Sequence, residues 1–183
     1  FVFLHALLRE ALEQNAAEEG RLVDHHRNCI ALLRSLRKQG DRLARHLRES
    51  GDLHASLGPI RRSVEDCLNT GNHRAAAAAL IDWRETLRSM GIPESGPGWM
   101  ETEVAECMVS LLRGQFSHAE KMALTLAEAA RNENLDAIVC ECFTLLAQLS
   151  VDQGNYDQGI AHIGEALRAY EDLNQPDLYG RCQ

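Results

Sequence analysis

Gly71-Asn72-His73-Arg74-Ala75-Ala76, Gly114-Gln115-Phe116-Ser117-His118-Ala119 and Gly154-Asn155-Tyr156-Asp157-Gln158-Gly159 are one phrase written three times: a glycine, a side-chain amide, a ring, two variable residues and a tiny residue. The glycines lie 43 and then 40 residues apart, and helix-like sequence flanks each phrase. Recurrence at that spacing predicts an array of helical hairpins, because one such hairpin cannot bury its own apolar face and must stack on the next.

Outward from the phrases, the apolar periodicity predicts helices over Pro59 to Asn69, His73 to Met90, Trp99 to Arg113, Ser117 to Arg131, Leu135 to Gln153 and Tyr156 to Leu173. Proline is tolerated as a first helical residue because its missing N–H would have no partner there, so Gly51 to Gly58 reads as a connection before Pro59. The run Ala75 to Ala79 favours helix and close backbone approach. Gly91-Ile92-Pro93-Glu94-Ser95-Gly96-Pro97-Gly98 is the strongest break in the chain. Asn174-Gln175-Pro176 opens a further helix from Asp177 that is not completed, and with the absence of an initiator Met the chain reads as a piece of a longer protein.

The third phrase carries more. Phe143-x-x-Leu146-Ala147, then Gly154-Asn155-Tyr156-x-x-Gly159, Ile163 and Ala166, puts small residues at 147, 159 and 166 where helices must approach, a glycine at the tight turn, and a tyrosine expected to fill the gap beside it. This pattern resembles the tetratricopeptide repeat. In the second repeat Cys107, Gly114, Phe116 and Ala119 match and Glu103 replaces the usual large apolar residue; in the first, Ile60, Val64, Gly71, His73 and Ala76 fit. The repeats exceed the usual length of about 34 residues. Long repeats ending like Glu165 to Pro176 are similar to those in regulatory regions of bacterial signalling proteins, including diguanylate cyclases with a GGDEF domain and large transcriptional activators. The resemblance implies an all-α fold, a tetratricopeptide-like α-solenoid of antiparallel helical hairpins over residues 57–183 with the last repeat truncated, preceded by an N-terminal helical extension at 1–50. The output domain stays an analogy, since a scaffold does not determine function.

In the first 50 residues, Phe3, Leu4, Leu7, Leu8, Ala11 and Leu12 stripe one helix that stops near Gly20. From Arg21 to Arg48, His26, Cys29, Leu33, Leu36, Gly40, Leu43 and Leu47 alternate steps of three and four, a heptad seam. Such a seam suits either of two places: a homodimer contact through Leu33, Leu36, Leu43 and Leu47, or the interior of the domain. Gly40-Asp41 offers a point at which the segment divides into two helices.

At 183 residues, 45% apolar and 25% charged, the chain belongs with globular proteins, and 5% aromatic content favours helix packing over a sandwich or barrel. It has no unbroken apolar run of about 18 residues, so no membrane span is expected. Six cysteines scattered among apolar neighbours suit reduced thiols and a cytoplasmic location. The net charge of −8 is polarised: residues 21–50 hold eight Arg or Lys against three acids, residues 101–183 fourteen acids against five bases.

No phosphate-cradling glycine loop, Rossmann fingerprint or G-x-S-x-G turn occurs, Asp24, His25 and Ser35 have no nucleophile turn around them, and the GGDEF sequence itself is missing; this segment is expected to be neither an enzyme nor a cofactor binder. His25, His26 and Cys29 have no second cluster to complete a zinc site, and Cys140-x-Cys142 diverge on a helix. The cations Arg27, Arg34, Arg37, Lys38, Arg42, Arg45 and Arg48 lack interleaved aromatics, which argues against nucleic acid.

What the resemblance implies for partners is a groove lined by first-helix residues: Arg61, Glu65 and Asn69, then Glu101, Val104, Met108 and Leu112, then Glu141, Thr144, Gln148 and Asp152. Members of the family that grip a C-terminal carboxylate need bases in the groove; here only Arg61 is placed for one, and Glu141 stands where another is wanted. The lining suits a basic, partly apolar protein segment. A protein partner or the protein's own output domain is therefore expected, with a dimerisation scaffold or a small-molecule sensor as the alternatives.

Overall fold

A computed structural model describes residues 2–36 and 40–173. Among the described residues the structure is all-helical: α1 Val2–Glu18, α2 Leu22–Ser35, α3 Asp41–Glu49, α4 Leu53–Asn69, α5 His73–Ser89, α6 Pro97–Leu112, α7 Phe116–Asn132, α8 Asp136–Asp152 and α9 Tyr156–Leu173. The chain divides into two compact units, residues 1–65 and 66–183, and the division falls within α4. The segment beyond Asn174 and Cys182 lie outside the described residues.

The second unit is built from one repeated helix ending. At Gly154 (φ +79°) the Asn155 N–H donates to the Ser150 carbonyl at 2.8 Å and the Gly154 N–H to the Val151 carbonyl at 2.9 Å, the paired bonds that close a helix over a left-handed residue. The same pair closes α4 at Gly71, α5 at Gly91, α6 at Gly114 and α7 at Asn134. The left-handed residues therefore recur every 20 residues, except for the 23-residue step from Gly91 to Gly114. The loop before α6 is longer than the others and α6 itself one residue shorter than α5; across that loop the Trp99 indole N–H donates to the Ile92 carbonyl at 3.0 Å and Arg88 lies 5.1 Å over the Trp99 ring. Asn134, with φ +57°, is the non-glycine in this series; its short polar side chain tolerates a conformation that other L-residues resist by about 1–2 kcal/mol.

Helix contacts run from α5 to α6, α6 to α7, α7 to α8 and α8 to α9, with a further contact of α6 on α8. Small residues set the approach. Ala76, Ala119 and Gly159, the last residues of the three phrases, are all buried. A β-carbon at Gly159 would stand 3.1 Å from Val151 Cγ2 and 3.5 Å from the Ala147 carbonyl, so α9 lies on α8 nearly backbone to backbone. Ala119, Ala123, Ala127 and Ala130 give α7 an equally thin buried face. α8 itself buries Ile138, Val139, Phe143, Leu145, Leu146 and Leu149, side chains on most sides of the helix. Arg131 of α7 stacks 4.8 Å over Phe143 and donates to Glu165 of α9 at 2.7 Å.

The ring of the phrase departs from expectation. Tyr156 is 66% exposed and Phe116 is exposed too, so neither fills a gap beside its turn. The turn is held by backbone bonds and needs no ring. The connection expected at Gly51 to Gly58 is also shorter than the sequence suggested, because the Asp52 carboxylate accepts from the Ala55 N–H at 3.1 Å and starts α4 at Leu53, leaving Pro59 inside the helix.

In the first unit the long Arg21 to Arg48 segment is two helices, α2 and α3, which pack on each other. Gly40, at φ +124°, stands between them. Ile30, Leu43 and Leu47 form their shared core, with Leu33 and Ala55 packed against it.

Candidate functional site

The proposed groove residues fall into two sets. Arg61, Glu65 and Asn69 lie four apart on α4 and are exposed along one helix face. In the second unit, α6 carries Glu101, Val104, Met108 and Leu112, and α8 carries Glu141, Thr144, Gln148 and Asp152, on two helices that touch. Met108, Leu112, Glu141, Gln148 and Asp152 are exposed, Glu101 and Thr144 half-buried. Val104 is a correction: at 6% exposure it belongs to the core with Met100, Cys107 and Leu146, and it cannot present its side chain to a partner. Its register on α6 is that of Glu101 and Met108, but at this level the side chain is taken into the core of buried residues from α6 to α9.

The polar side chains of α8 are ordered by their own helix. Thr144 Oγ1 donates to the Cys140 carbonyl at 2.8 Å, and Gln148 Nε2 donates to Asp152 Oδ1 at 2.8 Å. On the neighbouring pair, Arg84 of α5 donates to Thr102 Oγ1 at 3.2 Å and to Glu106 at 3.3 Å, fixing α6 from its other side.

Beneath the acidic residues lie two thiols. Burial pushes the Cys107 thiol up to about 12, with Glu103 and Glu106 adding to the shift. Burial raises Cys142 as well, followed by the fields of Cys107, Glu141 and Glu103. Glu103 is exposed on α6 but, two residues on from Glu101, it stands on the side of the helix away from Glu101, Met108 and Leu112 and is not part of their face. It stands where the repeat pattern wants a large apolar side chain, and a carboxylate at such a position must reach solvent. With Cys140 also buried, the Cys140-x-Cys142 pair belongs to the core and not to a reactive surface.

Comparison of the chain with protein-family models, with curated proteins and with solved structures gives no match.

The second candidate region, the heptad seam, is largely internal. Leu43 is 5% exposed and Leu47 is buried with it in the α2–α3 core, and Leu33 is half-buried against that core, so they are not available to a second chain. Leu36 is the exception at 58% exposure. The cause is the break near Gly40, which folds α3 back onto α2 and turns a seam along one helix into a core between two. Among the described residues no group of three or more His, Cys, Asp or Glu side chains is placed to hold a metal ion, and no helix is long and apolar enough to cross a membrane.

Proposed function

We propose that this chain is a tetratricopeptide-like interaction module, a regulatory part of a larger bacterial signalling protein, that takes a basic, partly apolar polypeptide segment on the face shared by α6 and α8. The observation that carries the reading is the helix ending repeated at Gly71, Gly91, Gly114, Asn134 and Gly154 with a buried small residue five positions after Gly71, Gly114 and Gly154. A chain that spends its sequence on re-using one helix-to-helix interface is building an extended surface, and such surfaces serve to hold other polypeptides. The chemistry of the face supports the partner class: Glu101, Glu141 and Asp152 supply negative charge beside the exposed thioether of Met108 and the exposed Leu112.

The test is binding of a labelled synthetic peptide alternating Lys or Arg with Leu, followed by fluorescence anisotropy. Rim charge pairs weaken with salt while apolar burial does not, so affinity is expected to fall only in part between low and high ionic strength. Glu101→Lys with Glu141→Lys is expected to lower affinity at least about tenfold with the helical circular dichroism signal unchanged. Equal affinity in the reversed variant removes this face from the function.

A further inference from the structure

Two imidazoles are buried together in the first unit. His26 of α2 and His46 of α3 meet Nδ1 to Nδ1 at 2.9 Å, and both are buried. His25 packs edge-on against both rings, with centroids 5.5 Å from His26 and 6.4 Å from His46. Its Nε2 lies 3.7 Å from Cys29 Sγ. His25 also lines a surface cavity of about 220 Å³ with Asn15, Arg21 and Asp24.

Two Nδ1 atoms make a hydrogen bond only when one carries a hydrogen and the other offers a lone pair. Neutral rings meet that condition, and so does a pair sharing one extra proton. When both rings are protonated, two N–H donors face each other and two cations lie side by side in a buried site. Among the described residues the aliphatic part of this core is Ile30, Leu43 and Leu47 with Leu33 and Ala55 packed against it.

The charges around the pair come from three helices. Glu13 of α1 and Glu49 of α3 favour a cation; Arg45 of α3 and His25 of α2 oppose it, and Arg45 is itself bonded to Glu13 at 2.8 Å. From α4 the group packed on this core is Ala55, which carries no charge.

We propose that the His26–His46 contact is an acid-operated clasp, closed at neutral pH, that releases α2 from α3 when both rings take up protons while the second unit stays folded. Burial holds both imidazoles below the ordinary value of 6.5, His46 down to about 4 with Arg45 and His26 adding to the shift. The released helices therefore bind protons more readily than the closed pair. The clasp is at full strength above 6.5, weakens as pH falls through that value, and is lost as pH approaches 4.

The two tryptophans, Trp83 and Trp99, are both in the second unit, so the units can be read separately in the whole chain. Hydrogen exchange by mass spectrometry, expressed as protection relative to the intrinsic rate at each pH, is expected to show α2 and α3 losing at least about tenfold protection between about pH 7 and about pH 5. Protection in α8 and the tryptophan emission should not change. His26→Asn with His46→Gln keeps neutral donors and acceptors that cannot titrate, and should abolish the fall. Wild-type protection that is equal at both pH values, or a double variant that falls as the wild type does, overturns the clasp. If the double variant does not fold, NMR titration of the wild-type rings decides. Midpoints of His26 and His46 well below 6.5 support the clasp, and a midpoint at or above 6.5 for either ring overturns it, because burial would then favour the charged form.

Discussion

Residues 66–183 surround α8 with apolar side chains from α6, α7 and α9, whereas among the described residues the α2–α3 core of residues 1–65 sets Ile30, Leu43 and Leu47, with Leu33 and Ala55 against them, beside two imidazoles. Both stretches read as amphipathic helix. What separates them is regularity: from Gly51 onward the left-handed closures recur every 20 residues apart from one 23-residue step, while before it Gly20 lies 31 residues from Gly51 with a break between. A repeated interface lets small residues such as Ala119 and Gly159 be used at every crossing. A single irregular one must fill its space with what the sequence offers, here His26 and His46.

The comparison breaks most visibly with a large deletion in each core. Leu146→Ala should cost about 2–5 kcal/mol and lower the thermal midpoint read by tryptophan fluorescence, since Leu146 is buried among α6, α7 and α9. Leu47→Ala removes an equally buried side chain, yet should register in the exchange of α2 and α3 amides and leave the tryptophan midpoint nearly in place. A midpoint that moves equally for both would show that the two units melt as one.

A smaller effect sharpens the claim about close crossings. Gly159→Leu must place side-chain atoms where a β-carbon alone would sit 3.1 Å from Val151, and should cost about 1–3 kcal/mol in chemical denaturation. Unchanged stability would remove the close approach of α9 to α8. Asn134→Gly works in the other direction. Relieving a left-handed conformation without changing the backbone bonds should stabilise the second unit by about 1 kcal/mol or less, and a loss of stability would mean that the asparagine side chain holds the turn. The smallest effect belongs to Tyr156→Ala, expected to lie within about 0.5 kcal/mol of wild type because the ring is mostly in solvent. A larger loss would restore the ring to the role its repetition suggests.

The helices of the second unit were legible because period and punctuation coincide there: Gly71, Gly114 and Gly154 each end an apolar stripe, and a left-handed residue is a local requirement that glycine meets. The closures at Gly91 and Asn134 make the same bonds without the phrase, and Asn134 escaped notice because an asparagine reads as ordinary polar surface. The proposed binding face was legible only in part. Register on a helix says which residues share a face, so Met108, Leu112, Glu141, Gln148 and Asp152 are exposed as expected, but it does not say at what height a neighbouring helix covers that face, and Val104 is covered. The burial of Cys107 of α6 with Cys142 of α8 is a relation between two helices that no single-helix pattern contains.

By itself, the sequence determined that this protein is helical, where most of its helices end, and which small residues are needed at their crossings, since these follow from periodicity, backbone conformation and side-chain volume within one segment. Tertiary structure decided the rest. Leu43 and Leu47 lie on a seam that could serve between chains or within one, and only the turn near Gly40 sends them inward; His26 and His46 are 20 residues apart in sequence, and only the packing of α2 on α3 brings their nitrogens to 2.9 Å. Contacts of that kind depend on the direction in which a chain returns on itself, and that direction is a sum over many residues that no local pattern carries.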